Sequence, residues 1–224
     1  MATGLFDFVD RDALEFFYDK ENITTFTPFE NPKDLRADEY GQKLRDKEFL
    51  ICKNETEIAA YAPYMDGIRY CKVGYVEFEK DKSSRKSQMK IWYLTVRNDY
   101  EGLGLGSMLI AGVKHECVMQ RIDTLVLDAA RRYKQKGPTT EERYPQLKGD
   151  GHLYYNANLA LYQAHGFEID KDSHEYTYGM EYNFNDSSPI PMVCEINGMV
   201  IPKSLNYAKT QSPQPPVQDG GMCQ

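Results

Sequence analysis

Between an apolar run, Ile91 to Val96, and a helical pattern that opens near Leu105, the chain reads Tyr100-Glu101-Gly102-Leu103-Gly104-Leu105-Gly106-Ser107. Glycines at alternate positions, after a strand and before a helix, restrict what this segment can be. Glycine admits positive φ and lets another group approach where a Cβ would stand. The helix behind it presents N–H groups with no partner in its own first turn, at the positive end of its dipole. Together these make an anion-binding turn, in which main-chain donors hold a phosphate without help from lysine or arginine. The alternative reading is an ordinary strand-to-helix turn whose glycines serve close packing. Spacing excludes two other phosphate loops. A Walker loop requires Gly-Lys at a fixed offset, and a G-x-G-x-x-G count from Gly102 ends on Ser107 and from Gly104 on Leu109.

The neighbouring pattern predicts a mixed α+β chain around one sheet. Residues 11–20 read as a short helix and 36–46 as a second, mostly polar one. Alternating apolar positions then predict strands over 48–53, 58–64, 70–79 and 88–96, with a turn at Asp66-Gly67 and a solvated loop over 80–86. Leu105, Met108, Leu109, Val113 and Cys117 follow a helical period that ends near Arg121. A strand is predicted over 124–127, a helix from Leu153 to His165 stopped by Gly166, and strands over 167–170 and 176–184. A weak hairpin is placed at 192–201. The polar stretch from Ala130 to His152 has no clear period, and a loop of that length inside a domain is usually functional or disordered. Residues 1–202 read as a single domain with its motifs between 88 and 184, and 203–224, rich in Pro and Gly, as a disordered tail.

Composition narrows the function classes. A net charge of −7 argues against a general nucleic-acid binder, which needs a basic footprint. The acidic balance suits a cationic partner, although it is also a common means of staying soluble. The five cysteines are odd in number and form no C-x-x-C pair, so neither a disulfide framework nor a zinc site is indicated. No basic leader and no apolar run of roughly 18 residues is present. A cytoplasmic, metal-free protein that engages neither membrane nor nucleic acid is the expectation. Oligomeric state is open, a homodimer being the common default.

The strand ending Leu94-Thr95-Val96, the turn over 100–107 and the downstream run Leu161-Tyr162-Gln163-Ala164-His165-Gly166-Phe167 together resemble the GNAT superfamily of acetyl-coenzyme A dependent N-acetyltransferases. In that family a strand leads to a turn of the form [RQ]-x-x-G-x-[GA], and a later helix ends L-Y-x-x-x-G-F. Glu101, Gly104 and Gly106 occupy the defining turn positions. The resemblance implies a GNAT-like fold: a central, mostly antiparallel mixed sheet flanked by helices, splayed at a seam for the coenzyme. It implies that the main chain of Glu101, Gly102, Leu103, Gly104, Leu105, Gly106 and Ser107 forms the pyrophosphate turn, with the N–H groups of Leu103 to Ser107 as donors. Leu94 and Val96 would pair with the pantetheine amides in the manner of an added strand.

The implied reaction moves an acetyl group from acetyl-coenzyme A to a primary amine by direct attack through a tetrahedral intermediate. Tyr162 matches the family's proton donor to the leaving thiolate, and a main-chain N–H near Val96 would stabilise the oxyanion. The base is not fixed by the sequence. Glu77 and Glu79 alternate with Tyr75 on one strand face, so one of the two, Glu79 foremost, is a candidate if that face turns to the seam, directly or through water, rather than to solvent, and His152 is a further candidate. Three positions depart from the family pattern. Glu101 replaces the usual Arg or Gln, Lys90 stands where many members carry a glutamate, and Tyr155 falls where an asparagine is usual, with Asn156 and Asn158 close enough for a shifted register to restore that coenzyme contact. These departures leave open an acyl-coenzyme A binding or regulatory module without turnover. The acceptor, a small amine or an amine on a peptide or protein, is not legible. The 130–152 segment, which joins the strand after the turn to the helix of Tyr162, is expected to shape its choice.

Overall fold

The computed structural model describes residues 8–28, 44, 47–65, 67–81, 87–129, 132–133, 154–155, 159–174, 176 and 189–196. Strands β1 (Phe8–Asp10), β2 (Ile23–Phe26), β3 (Phe49–Lys53), β4 (Glu57–Pro63), β5 (Arg69–Lys80), β6 (Gln88–Val96), β7 (Thr124–Ala129), β10 (Glu168–Ile169) and β11 (Ile190–Glu195) form one nine-stranded sheet. Its order is β10-β11-β7-β6-β5-β4-β3-β2, with β1 added to β5. Every pairing is antiparallel except β6 with β7. Two short strands, β8 (Arg132–Tyr133) and β9 (Tyr154–Tyr155), pair separately. Among the described residues the α-helices with defined bounds are α1 (Arg11–Phe17), α2 (Leu105–Met119) and α3 (Leu159–Ala164), with 3-10 turns at Lys20–Asn22 and Asn98–Tyr100.

The two sheet faces are covered unequally, and β3 shows why. Phe49 and Ile51 point into the large core under α2, whereas Leu50 and Cys52 point into a smaller cluster with Leu14 and Tyr18 at α1. Buried on both sides, β3 reads as a continuous apolar run. In β5, Val73, Val76 and Phe78 join the α2 core, while Tyr75 and Glu77 on the opposite face are only partly buried. Each large apolar side chain buried this way stabilises the fold by about 1.5–3 kcal/mol.

Under α1 the smaller cluster encloses charge. Lys72, 3% exposed, places Nζ 2.6 Å from Glu57 Oε2, and the Tyr18 hydroxyl donates to Glu57 Oε1 at 2.9 Å. The Tyr75 ring lies 4.6 Å from the same ammonium. Both carboxylate oxygens are thus engaged, as a buried charge requires.

Several expectations need correction. The helix predicted from Leu153 does not include Tyr154–Tyr155, which is drawn into a ribbon with Arg132–Tyr133; its described span is Leu159–Ala164, and residues 156–158 lie outside the described residues. Tyr176, read as the start of a strand, is helical and buried; residues 177–184 lie outside the described residues. Where a weak hairpin is expected at 192–201, the described residues form the strand β11 (Ile190–Glu195), held between β7 and β10; residues 197–201 lie outside the described residues. Of the helix at 36–46 only Leu44 is described, and the 203–224 tail lies outside the described residues.

Candidate functional site

The parallel pairing of β6 with β7 runs from Gln88↔Thr124 to Ile91↔Leu127 and stops there. The cause is the next residue. On the β5 side, Phe78 pairs with Ile91 and Glu77 with Tyr93, so Trp92 has no partner and forms a bulge. A bulge bends its strand and interrupts the ladder. Beyond it β6 continues to Val96, while β7 continues to Ala129 paired to β11. Among the described residues, the β7-side edge of β6 from Trp92 to Val96 has no strand partner. This is the open seam, and Leu94 and Val96 lie on it.

At the end of β6, Gly74 sets how closely β5 approaches. A Cβ there would meet the Thr95 carbonyl oxygen at 3.0 Å and Val96 Cγ2 at 3.2 Å. Sequence reading passed over this residue, although a glycine inside a strand is itself a signal of close backbone approach. Arg97 was also missed. Its N–H donates to the Val73 carbonyl at 2.8 Å. Its guanidinium grips Asp99 at 2.8 and 3.2 Å, donates to Cys71 Sγ at 3.3 Å and covers the Tyr100 ring. These contacts brace the approach to the glycine turn.

Within the turn the glycines divide the work. Gly102 and Gly104 have φ of 72° and 79°, in the region L side chains avoid. Gly104 caps α2 with no side-chain hydrogen bond. Met108 N–H is bonded to the Gly104 carbonyl at 2.9 Å, so the N–H groups of Leu105, Gly106 and Ser107 fall in the first turn, whose donors a helix does not satisfy internally. Leu103 and Leu105 are buried, Ser107 is half-buried, and Glu101 is exposed at the lip. Gly106 answers to a different demand, because a Cβ on it would lie 3.1 Å from Leu161 Cδ2. The glycine turn and the Leu161-Tyr162 helix are therefore in direct contact.

Tyr162 follows Leu161 on α3, is 6% exposed and meets Phe167 edge to face at 5.9 Å. Gly166, at φ 76°, ends the helix, and the Phe167 N–H returns to the Tyr162 carbonyl at 3.0 Å. The structure thus brings Tyr162 to the helix that packs on the turn. It does not bring Glu79 there. Glu79 pairs with Lys90 at the other end of β6, six residues from Val96, a span of about 20 Å. It lines instead a separate groove of about 660 Å³ with Phe17, Asn54, Lys80 and Glu116. Lys90 is held by Asp128 at 2.7 Å and sits 4.6 Å from the centre of the Trp92 ring. Asn156, Asn158 and His152 lie outside the described residues.

The bulge also changes which way side chains face. Met89 and Ile91 point into the α2 core before it, and Leu94 and Val96 pack against that core after it. Trp92 and Tyr93 consequently share the opposite face, 55% and 63% exposed. Tyr75, across from Thr95 on that face, has its hydroxyl pKa raised, first by burial and then by the negative charge of Glu77 and Glu57.

An unpaired strand edge thus leads into a glycine turn, and the helix of Tyr162 packs on that turn. Residues 14–136 match the model of the acetyltransferase (GNAT) family. The chain belongs to that family. Among solved structures similar to this GNAT chain is an acetyltransferase of the GNAT family from Desulfovibrio desulfuricans (14% identity, 63% of this chain and 70% of that one, TM-score 0.39). Another is a streptothricin acetyltransferase from Bacillus anthracis in complex with acetyl coenzyme A (18% identity, 64% and 65%, TM-score 0.39). A third is the aminoglycoside 6'-N-acetyltransferase of Enterococcus faecium (14% identity, 66% and 78%, TM-score 0.39). The chain spans just under two thirds of the Bacillus protein it matches. No curated protein sequence matches it significantly. No helix among the described residues of this GNAT protein is long and apolar enough to cross a membrane.

Proposed function

We propose that the protein transfers an acetyl group from acetyl-coenzyme A to a primary amine. The observation that carries this reading is the contact of Gly106 with Leu161, which sets the anion turn and Tyr162 on adjoining helices. The residues present suit the coenzyme. First-turn N–H groups of α2 match a pyrophosphate, and the unpaired edge at Leu94 and Val96 matches an amide-bearing arm that lies down as an extra strand.

In this reading Leu103 to Ser107 hold the pyrophosphate, and a main-chain N–H near Val96 receives the developing oxyanion. The neutral amine attacks the thioester carbonyl to form the C–N bond, the C–S bond breaks as the Tyr162 hydroxyl gives its proton to the departing sulfur, and the proton shed by the new amide nitrogen returns to the Tyr162 oxygen through water. An alkylammonium has a pKa of about 10, so a proton must leave the amine before attack, and water in the open seam takes it. Glu79 is too distant for that step. Acetyl-coenzyme A is the only co-reactant the chemistry requires.

The second reading, coenzyme binding without turnover, is favoured by Lys90, which is fixed in an ion pair with Asp128 where many relatives place a carboxylate. Acetyl-coenzyme A mixed with purified protein and a panel of primary amines separates the two. Acceptor-dependent release of free thiol is expected. Coenzyme binding with no release from any amine supports the second reading, and failure to bind the coenzyme removes both.

A further inference from the structure

We propose that the sheet face beside the seam holds a second, non-reacting cationic group of the acceptor, in a subsite formed by Glu77, Trp92 and Tyr93. This rests on the transferase reading of the seam and names the acceptor class it takes, an aliphatic diamine.

The geometry comes from the bulge. A regular strand sends neighbouring side chains to opposite faces, yet Trp92 and Tyr93 emerge together in water, although β6 has four strands on one side of it and three on the other in the linear order of the sheet. Tyr93 stands directly across from Glu77, which brings one carboxylate to the aromatic pair. Among the described residues, the two lysines on this face are already neutralised: Lys72 by Glu57 at 2.6 Å and Lys90 by Asp128 at 2.7 Å. Among the described residues Glu77 makes no ion pair. The exposed Glu79, across from Lys90, adds negative charge. The local field therefore favours a cation; Tyr93 offers it a ring face, and Trp92 offers the face not taken by Lys90, whose ammonium sits 4.6 Å from the centre of that ring.

That cation cannot be the reacting amine. A carboxylate beside an ammonium favours the charged form, whereas attack requires a free lone pair. The reacting nitrogen belongs farther along β6 at the Leu94–Val96 edge. From Tyr93 to the Leu94–Val96 edge is one to three residues, about 3–10 Å at the strand rise. An acceptor reaching from one to the other carries two amines separated by up to about seven methylenes, taking a little over 1.2 Å of reach from each bond.

The test compares the wild type with Glu77→Gln on 1,5-diaminopentane and on n-pentylamine, followed by thiol release. A fall of about tenfold in kcat/KM for the diamine, the equivalent of about 1.4 kcal/mol, is expected, with n-pentylamine and the KM for acetyl-coenzyme A unchanged. Equal loss on both amines, or none on either, overturns the subsite. A second measurement needs no turnover. Trp92 is the single tryptophan of the chain, so its fluorescence reports binding of 1,5-bis(trimethylammonio)pentane, which has no nitrogen free to react. Saturation in the wild type, weakened about tenfold by Glu77→Gln, is expected, and a flat or Glu77-independent response overturns the proposal. If the titration behaves as expected while no amine releases thiol, the subsite stands and the transferase reading fails. The reverse pattern removes the subsite alone.

Discussion

Leu161 lies so close to Gly106 that a methyl group at position 106 would come within 3.1 Å of its Cδ2. Two motifs more than 50 residues apart in sequence are thereby set into one rigid unit, and the hydroxyl of Tyr162 inherits its position from a glycine in another helix. Gly106 is half-buried and helical, so Gly106→Ala gains helix propensity while pushing α3 away by a few tenths of an ångström. Since a misplacement of about 1 Å can cost about a hundredfold in rate, kcat is expected to fall by about tenfold with coenzyme affinity nearly intact. Steady-state kinetics beside a coenzyme titration check this, and a parallel loss of both would place the fault in the turn itself.

The buried pair under α1 should respond asymmetrically. Removing one charge leaves its partner unpaired in the interior, a loss of about 3–5 kcal/mol. Both Lys72→Met and Glu57→Leu are therefore expected to destabilise strongly, and the double variant to recover most of the loss. Urea unfolding of the four proteins measures the cycle; additive losses would show that the two charges do not depend on each other.

Burial raises the thiol pKa values of Cys52 and Cys117 from 9.0 to about 12, and that of the Tyr18 hydroxyl also goes up, through burial first and then its tyrosine and glutamate neighbours. Between those limits the unfolded chain has lost thiol protons that the folded chain keeps. The unfolded state binds fewer protons, so stability declines with rising pH by about 1.4 kcal/mol per unit for each thiol. The urea midpoint should drop from pH 9 toward pH 12 and drop less in a Cys52→Ala, Cys117→Ala variant once both are referred to their own values at neutral pH.

Helix α2 ends on an arginine where glycine is the usual choice. Arg121 has φ of 54°, and the Ile122 N–H reaches back to the Cys117 carbonyl at 2.8 Å. A left-handed conformation costs a side-chain-bearing residue about 1–2 kcal/mol, so Arg121→Gly is expected to stabilise by about 0.5–1 kcal/mol after its added chain entropy. A thermal melt decides it, and a lower melting temperature would mean that the arginine side chain holds the turn.

The ribbon of Arg132–Tyr133 with Tyr154–Tyr155 ties together the ends of the long polar segment. Deleting 136–148 leaves both strands in place, so the fold and coenzyme binding are expected to survive while the preference among amines changes. An unchanged acceptor profile would mark the segment as a tolerated insertion.

What could be read in advance followed from how regular each element is. The bounds of β6 and the opening of α2 agree with the structure because their apolar spacing continues to the turn glycines. β1 and β2 are too short to show a period and owe their existence to pairing with β5 and β3. β11 was obscured by Pro191, a residue that argues against an interior strand. It is accommodated beyond the last β10 partner, Met192, where its carbonyl accepts from the Asp170 N–H at 2.9 Å. In the candidate site, the glycine spacing and the Leu161-Tyr162 run stand out as residue types at fixed offsets, and the structure sets the two in contact. The bulge was not, since Trp92 looks like any aromatic in a strand until its neighbours' partners are known, and Glu79 was misplaced because alternation shows which face a residue takes but not how far along the strand the seam opens.

That bulge is separable from the core around it. Met89 and Ile91 before it and Leu94 and Val96 after it all address the same core, which is possible only because one surplus residue resets the alternation between them. Loss of the Trp92 codon would leave each of these side chains on its present face, let β6 pair with β5 without interruption, and remove the device that pries β6 from β7. The opening into which a coenzyme arm could slide thus rests on a single unpaired residue, separable from the residues whose side chains fill the core.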